Sequence, residues 1–381
     1  MDNKATLEQY CIDVIRAAMN GTAISPMPEG LSLADMFAFS KKHGIEAIVF
    51  HGLSALNIDE EDPVWRNWAM RADMLLTQSI VQLSDRDMLF DLTDGAGIDL
   101  MPIKGSWLKE AYPQIDFRQM ADLDMLIRLK DRERAKNLML DAGFMEEPEH
   151  AFHHDSFTKE PYTNVELHFQ LIQSSNKYYS YFENVWDNAR PVEGYSHLYR
   201  LSSENEYIFY FVHLKKHMDD TGCGIRFIMD CAVFQRTYLD MDRTYLRREF
   251  TKLGLFEFVQ SIEKLSECWF CTGDSVPPSL WEMAESILQA GTYGTIEAVY
   301  RRRMGELKKK YKNPALQMIA YWMICVFRPL WFMKHYYPML EKFPVLLPFT
   351  WIARIIKKCV SKPKEMLYQI KQVYKEGRNN G

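Results

Sequence analysis

Three short segments of this 381-residue chain carry side chains able to act together on a phosphate and a divalent cation: Lys104-Gly105-Ser106, Asp122-Leu123-Asp124 and Glu166-Leu167-His168. Side chains two apart on a strand share a face, so Asp122 and Asp124 project together while Leu123 and Met125 enter a core, and Glu166 pairs with His168 in the same way. Carboxylates that share a face repel unless a cation lies between them, and Mg2+ prefers oxygen ligands. A two-ion phosphoryl-transfer site needs a third acid for the second ion, and Glu166 is the candidate. Gly105 permits close backbone approach to a ligand, and Ser106 opens a helix whose free amides suit a phosphate. Lys104 and Arg118 add cations on either side of that helix.

The surrounding elements must bring these segments together. Residues 6–95 read as helices, with Leu75, Leu76, Ile80, Leu83, Met88 and Leu89 near 3.6-residue spacing in a stretch free of Pro and Gly from Val64 to Thr93. From Asp99 the pattern shortens. Leu123 to Leu129 is strand-like, Asp131 to Ala142 is a helix capped by Asp131 and closed by Gly143, and Phe152–Thr158 and Thr163–Leu171 form a hairpin around Lys159 to Tyr162. Consecutive elements are usually neighbours, which would set the Glu166 strand beside the Asp122 strand. From Ser203 helices return. Ser203 with Glu206 makes a capping box, and further helical patterns fill 225–238, 245–270, 278–290 and 295–310.

Composition narrows the class. With 47% apolar and 25% charged residues the chain has no disorder signature. The polar N-terminus carries no secretory pattern, and seven scattered cysteines make no disulfide framework, so a reducing cytoplasm is expected. Charge is split. Residues 301–381 hold 18 Lys or Arg against 4 Asp or Glu, whereas residues 1–300 hold 28 against 47. That basic, aromatic segment reads either as a packed helical subdomain or as a membrane-surface or nucleic-acid patch built on Trp322, Trp331, Phe332, Trp351 and the surrounding lysines, and Arg301–Arg303 and Lys308–Lys310 read as a solvated helix face, with nucleic-acid contact the alternative. Its apolar run Met318 to Phe327 is too short to span a bilayer.

The run Ile103 to Ser106, then Tyr112, Arg118, Asp122 to Leu126, Gly143-Phe144 and Glu166-Leu167-His168, resembles the bacterial family of uncharacterised nucleotidyltransferases in the DNA polymerase β-like superfamily. The likeness continues in His213-Leu-Lys-Lys216-His217 and in Ile225 to Asp230. It implies an α+β protein: a minimal nucleotidyltransferase mixed sheet flanked by helices. The parts would be a helical region at 1–95, an α/β core at 96–175, a helical domain closing the cleft at 176–300 and a basic helical region at 301–381. It further implies transfer of a nucleoside monophosphate from an NTP to an acceptor hydroxyl. Asp122, Asp124 and Glu166 would hold two Mg2+ ions, with Mn2+ as an alternative, and Lys104, Gly105, Ser106, Arg118 and Lys216 would serve the phosphates. His168, His213, His217 and Asp230 fall on the substrate side. Lys104 stands where the polymerase-type pattern has an apolar residue.

The acceptor is open among a small molecule, a protein side chain and a tRNA 3′ end. The same fold would also suit a catalytically silent nucleotide-binding or toxin–antitoxin-type protein. No zinc site is expected: His213 and His217 lack a third ligand, Cys268 and Cys271 read as cysteines of a packed helix, and His153-His154 reads as strand surface.

Overall fold

Alternation in the two acidic segments decides the layout. The computed structural model describes residues 3–147, 153–174, 176–292, 304–305 and 307–361. Helices α1 (Asn3–Asn20), α2 (Leu33–His43), α3 (Glu46–Leu53) and α4 (Pro63–Gly95) precede a five-stranded sheet. Its strands are β1 (Leu100–Pro102), β2 (Leu123–Ile127), β3 (Met145–Glu146), β4 (His154–Lys159) and β5 (Thr163–His168), with the short α5 (Gly105–Leu108) and α6 (Arg132–Asp141) between them. Strand order is β1-β2-β5-β4-β3, and β2 runs parallel to β5 while the other neighbours are antiparallel.

Leu123, Met125, Ile127, Val165 and Leu167 face one core, shared with Leu89 and Phe90 of α4 and with Ala135 and Met139 of α6. Asp124 and Glu166 stand opposite one another on the other face. Burying such side chains is worth about 1.5–3 kcal/mol each, so the apolar rows hold the acids on the far face.

Helix α4 locks the sheet from behind with a polar stripe. Gln82 donates to the carbonyls of Met120 and Tyr162, both at 3.2 Å, and Asp85 accepts from Lys159 at 2.8 Å and from Thr163 at 2.5 Å. Arg86 donates to the Ser106 carbonyl at 2.7 Å and pairs with Glu110. The buried side of this helix therefore runs through Ser79, Gln82 and Arg86, while Leu76 and Ile80, expected in the apolar row, are exposed. Asp131 caps nothing with its side chain and pairs with Arg134 instead.

After the sheet come α7 (Tyr179–Phe182), a two-stranded ribbon of β6 (Ala189–Pro191) and β7 (Tyr199–Leu201), and helices α8 (Ser203–Asp220), α9 (Ile225–Thr237), α10 (Arg243–Lys252), α11 (Phe256–Ser266) and α12 (Trp281–Ala290). The start of α8 is held by Ser202, whose hydroxyl accepts from the Asn205 amide at 3.3 Å, rather than by a Ser203–Glu206 box. The π-helical turn Glu267–Thr272 buries Cys268 and leaves Cys271 exposed. Side chains from α1, α3, α4, α8, α9 and α11 merge into one core around Trp68, Tyr207, Phe211 and Ile262.

The chain forms two compact units, residues 1–219 with 223–293, and residues 220–222 with 294–381. In the second, helices Pro314–Val326, Leu330–Tyr336, Met339–Lys342 and Leu347–Ser361 follow one another. Trp351 donates to the Arg328 carbonyl at 2.8 Å, and Tyr321 packs on Met304 and Leu307. Ile319, Met323, Phe349, Ile352 and Ile356 are exposed. Arg301, Arg302, Arg303 and most of the helix expected at 295–310 lie outside the described residues, as do the side chains of Trp331 and Phe332. Among the described residues no helix is long and apolar enough to cross a membrane.

Gly52 is the tight point between α1 and α3: a Cβ there would meet Val14 Cγ1 at 2.5 Å and the Val14 carbonyl oxygen at 2.9 Å. Overpacking costs about 1–3 kcal/mol, and alanine's better helix propensity returns at most about 1 kcal/mol. Gly52→Ala is therefore expected to lower the urea midpoint, by the equivalent of about 1–2 kcal/mol.

Candidate active site

The acids sit in a cavity of about 370 Å³ between the sheet and helices α8 and α9. Lys104, Gly105, Arg118, Asp122, Asp124, Glu166, His168, His213, Lys216, His217 and Asp230 all line it. Ser106 does not: it is buried, and its carbonyl accepts from Arg86.

Parallel pairing puts Asp124 directly across from Glu166, and Leu126 across from His168. His168 Nε2 lies 2.7 Å from Asp124 Oδ1 and 3.2 Å from Glu166 Oε2. Asp124, Glu166 and His168 each offer a ligand atom, all within 4.8 Å of one another. Asp122 lines the same wall but belongs to neither of the close ligand groups found among the described residues. Burial and the adjacent Asp124 carboxylate push its pKa up to about 6, against the pull of Lys104.

Lys104 supplies the nearest cation. Its ammonium pairs with Asp124 at 2.5 Å, and although burial opposes the charge, Asp124 and Asp122 hold its pKa above the usual lysine value. Burial raises the Asp124 pKa, but Lys104 and the hydrogen bond from His168 outweigh it and keep the carboxyl ionised. The Lys104 backbone has φ 57° and ψ −118°, a conformation suited to glycine that costs of order 1–3 kcal/mol for other residues. It is held there by the bond from the Ile103 amide to the Asp124 carbonyl at 3.0 Å and by the ion pair that follows.

Gly105 has a different neighbour from the one its sequence context suggests. A Cβ at Gly105 would fall 1.8 Å from the Arg118 guanidinium, so the glycine makes room for an arginine of the same chain. Arg118 in turn is gripped from both sides: Nε and one terminal nitrogen donate to the two oxygens of Asp230 at 2.8 and 3.0 Å, and Tyr112 donates to Asp230 at 2.6 Å. Lys109, fully buried, donates to Ser79 at 2.9 Å and to the Arg118 carbonyl at 2.7 Å. Burial and the nearby Arg118 lower its pKa to about 7. Arg118 and Asp230 thus fasten α9 to the sheet.

On the opposite wall His213 and His217 meet Nε2 to Nε2 at 3.0 Å, beside Phe227. Burial and Lys104 hold the His213 pKa well below the usual histidine value.

Sequence reasoning overlooked three features. His153 and His154 are not strand surface; both line the cavity, with rings 5.4 and 4.9 Å from that of His168. Glu206, read as a cap, also lines it, and burial pushes its pKa up to about 7 despite Arg200. Gln119 lines it with a buried amide nitrogen lacking a partner. Only the alternation of β4, which sets His154 on the face opposite buried Asp155 and Phe157, carried any signal for the first.

A family described as uncharacterised nucleotidyltransferase matches residues 32–271, more than half of the chain and all of the cavity's acids. No curated protein and no solved structure matches.

Two outcomes follow from the charges. Removing one partner of a buried ion pair costs about 3–5 kcal/mol because the other charge is stranded. Arg118→Met should lose about that much in chemical denaturation, and Arg118→Met/Asp230→Leu should be more stable than the single variant. For Asp122, the folded pKa of about 6 lies above the unfolded 3.8, so the folded state binds more protons between them and stability falls as pH rises through that window. In chelator-treated buffer Asp122→Asn should therefore gain about 1–3 kcal/mol at pH 8, with the gain vanishing near pH 4.

Proposed function

We infer that this chain, which belongs to the uncharacterised nucleotidyltransferase family, moves a nucleoside monophosphate from an NTP to an acceptor hydroxyl and releases pyrophosphate. The observation that carries this reading is the register that sets Asp124 against Glu166 across β2 and β5, with Asp122 on the same cavity wall. A volume of about 370 Å³ falls in the range of pockets that bind small molecules and cofactors.

The residues fit divalent cations. Asp122, Asp124 and Glu166 line one cavity, Asp124 already carries an ammonium, and burial beside the Asp124 carboxylate pushes the Asp122 pKa up. Asp122, Asp124 and Glu166 would hold Mg2+, or Mn2+. Bound there, such ions neutralise phosphate charge and lower the pKa of the acceptor hydroxyl.

In the reaction the acceptor oxygen attacks the α-phosphorus, the bond from that phosphorus to the α–β bridging oxygen breaks, and the electron pair leaves with pyrophosphate. Lys104 exchanges its carboxylate partner for the leaving pyrophosphate, and Lys216, on the facing helix, adds a second cation to the cavity. The acceptor hydroxyl's proton leaves to solvent, and Glu206 lines the same cavity with its pKa pushed up to about 7 by burial. Arg118 serves by holding α9, and with it Asp230, against the sheet.

Incubating the protein with Mg2+, cell extract and each α-labelled NTP tests the reading and reveals the acceptor. Wild type should label a molecule that Asp124→Asn fails to label, with pyrophosphate released in step. NTP binding without label or pyrophosphate would instead identify a silent nucleotide-binding protein.

A further inference from the structure

His154 on β4 is paired across the sheet with His168 on β5, and the Phe169 amide, 3.0 Å from the His153 carbonyl, extends that pairing by one residue. The three rings lie 4.7 to 5.4 Å apart, and each offers a ring nitrogen within 4.8 Å of the other two. Ligand nitrogens in a tetrahedral site with bonds of about 2.0–2.1 Å stand about 3.3 Å apart, a separation reached by small side-chain rotations.

Hydrogen bonding decides which nitrogens are available. Asp124 is an ionised acceptor, so His168 Nε2 donates to it at 2.7 Å, and Nδ1 is the ring's remaining nitrogen. That Nδ1 is buried with no partner, on a residue only 2% exposed. His154 Nδ1 is likewise buried without a partner, while its Nε2 lies 3.5 Å from Glu166. His153 Nδ1 meets the Gln173 side-chain nitrogen at 3.3 Å, and Nε2 is its other ring nitrogen. A carboxylate that fixes one histidine nitrogen so that the other faces a metal is the recurrent outer support of metal sites.

We propose that His153, His154 and His168 form a nitrogen-rich divalent-cation site, distinct from the three-carboxylate site, that takes a borderline transition ion of the zinc class. Imidazole ligands favour such ions over Mg2+. Glu166, 3.5 Å from His154 Nε2 and 3.2 Å from His168 Nε2, supplies compensating charge from the other edge of both rings. The site does not depend on the transfer reaction, and an ion in it would draw Glu166 toward the histidines, so Zn2+ would compete with Mg2+-supported labelling.

The test titrates Co2+ into chelator-treated full-length protein in excess Mg2+ and reads the visible absorption bands. One Co2+ per chain with a nitrogen-ligated spectrum is expected, displaced by Zn2+. His153→Ala and His154→Ala should each weaken binding by on the order of ten-fold or more, whereas His213→Ala/His217→Ala should bind as wild type does. Co2+ binding that Mg2+ displaces, that survives both the His153 and His154 variants, or that is lost in the His213/His217 variant would overturn the proposal, as would no binding at all. Circular dichroism of each variant separates a lost ligand from a lost fold.

Discussion

Everything in the cavity depends on the parallel pairing of β2 with β5. Parallel strands need a crossover, and here the chain makes it through α6, β3 and β4 before returning beside β2. The register is enforced from the apolar side: Leu123, Val165, Met125 and Leu167 are all 4% exposed or less, and a slip of one residue would drive Glu166 among them. The catalytic reading is thus a by-product of hydrophobic packing. What the core excludes, the cavity receives.

Charge buried on the cavity side is balanced pair by pair. Asp230 takes Arg118 and Asp124 takes Lys104 and His168, while behind the sheet Asp85 takes Lys159. Pairs of this kind contribute little net stability, but each is costly to break, so they specify geometry more than they strengthen it. The Arg118–Asp230 pair spans 112 residues of chain and fixes the helical wall against the sheet. Gly105 is part of the same device, because no other residue leaves space for the guanidinium.

Much of this could be read from the sequence alone. The acid-x-acid spacing and the Val165-Glu166-Leu167-His168 alternation gave the faces correctly, since a strand's two-residue period is local. The β4–β5 hairpin and the helical character of residues 6–95 were equally legible from turn residues and spacing respectively. Long-range partners were not. Nothing near Arg118 in the chain announces Asp230, and nothing near Lys109 announces Ser79. The polar stripe of α4 went unread because pattern cannot separate buried polar residues with partners from exposed ones. His153 and His154 read as strand surface, yet His153 precedes the strand and both rings face the cavity.

The lysine at position 104 has one more implication. By resting its ammonium on Asp124 it gives the cleft a tethered counter-ion, so part of the acidic cluster's charge is met from within the chain. Affinity for an incoming cation is then the surplus over an internal competitor at fixed, high local concentration. Such a cleft ignores stray ions in isolation and responds to a cation that arrives together with an anion able to claim the displaced lysine.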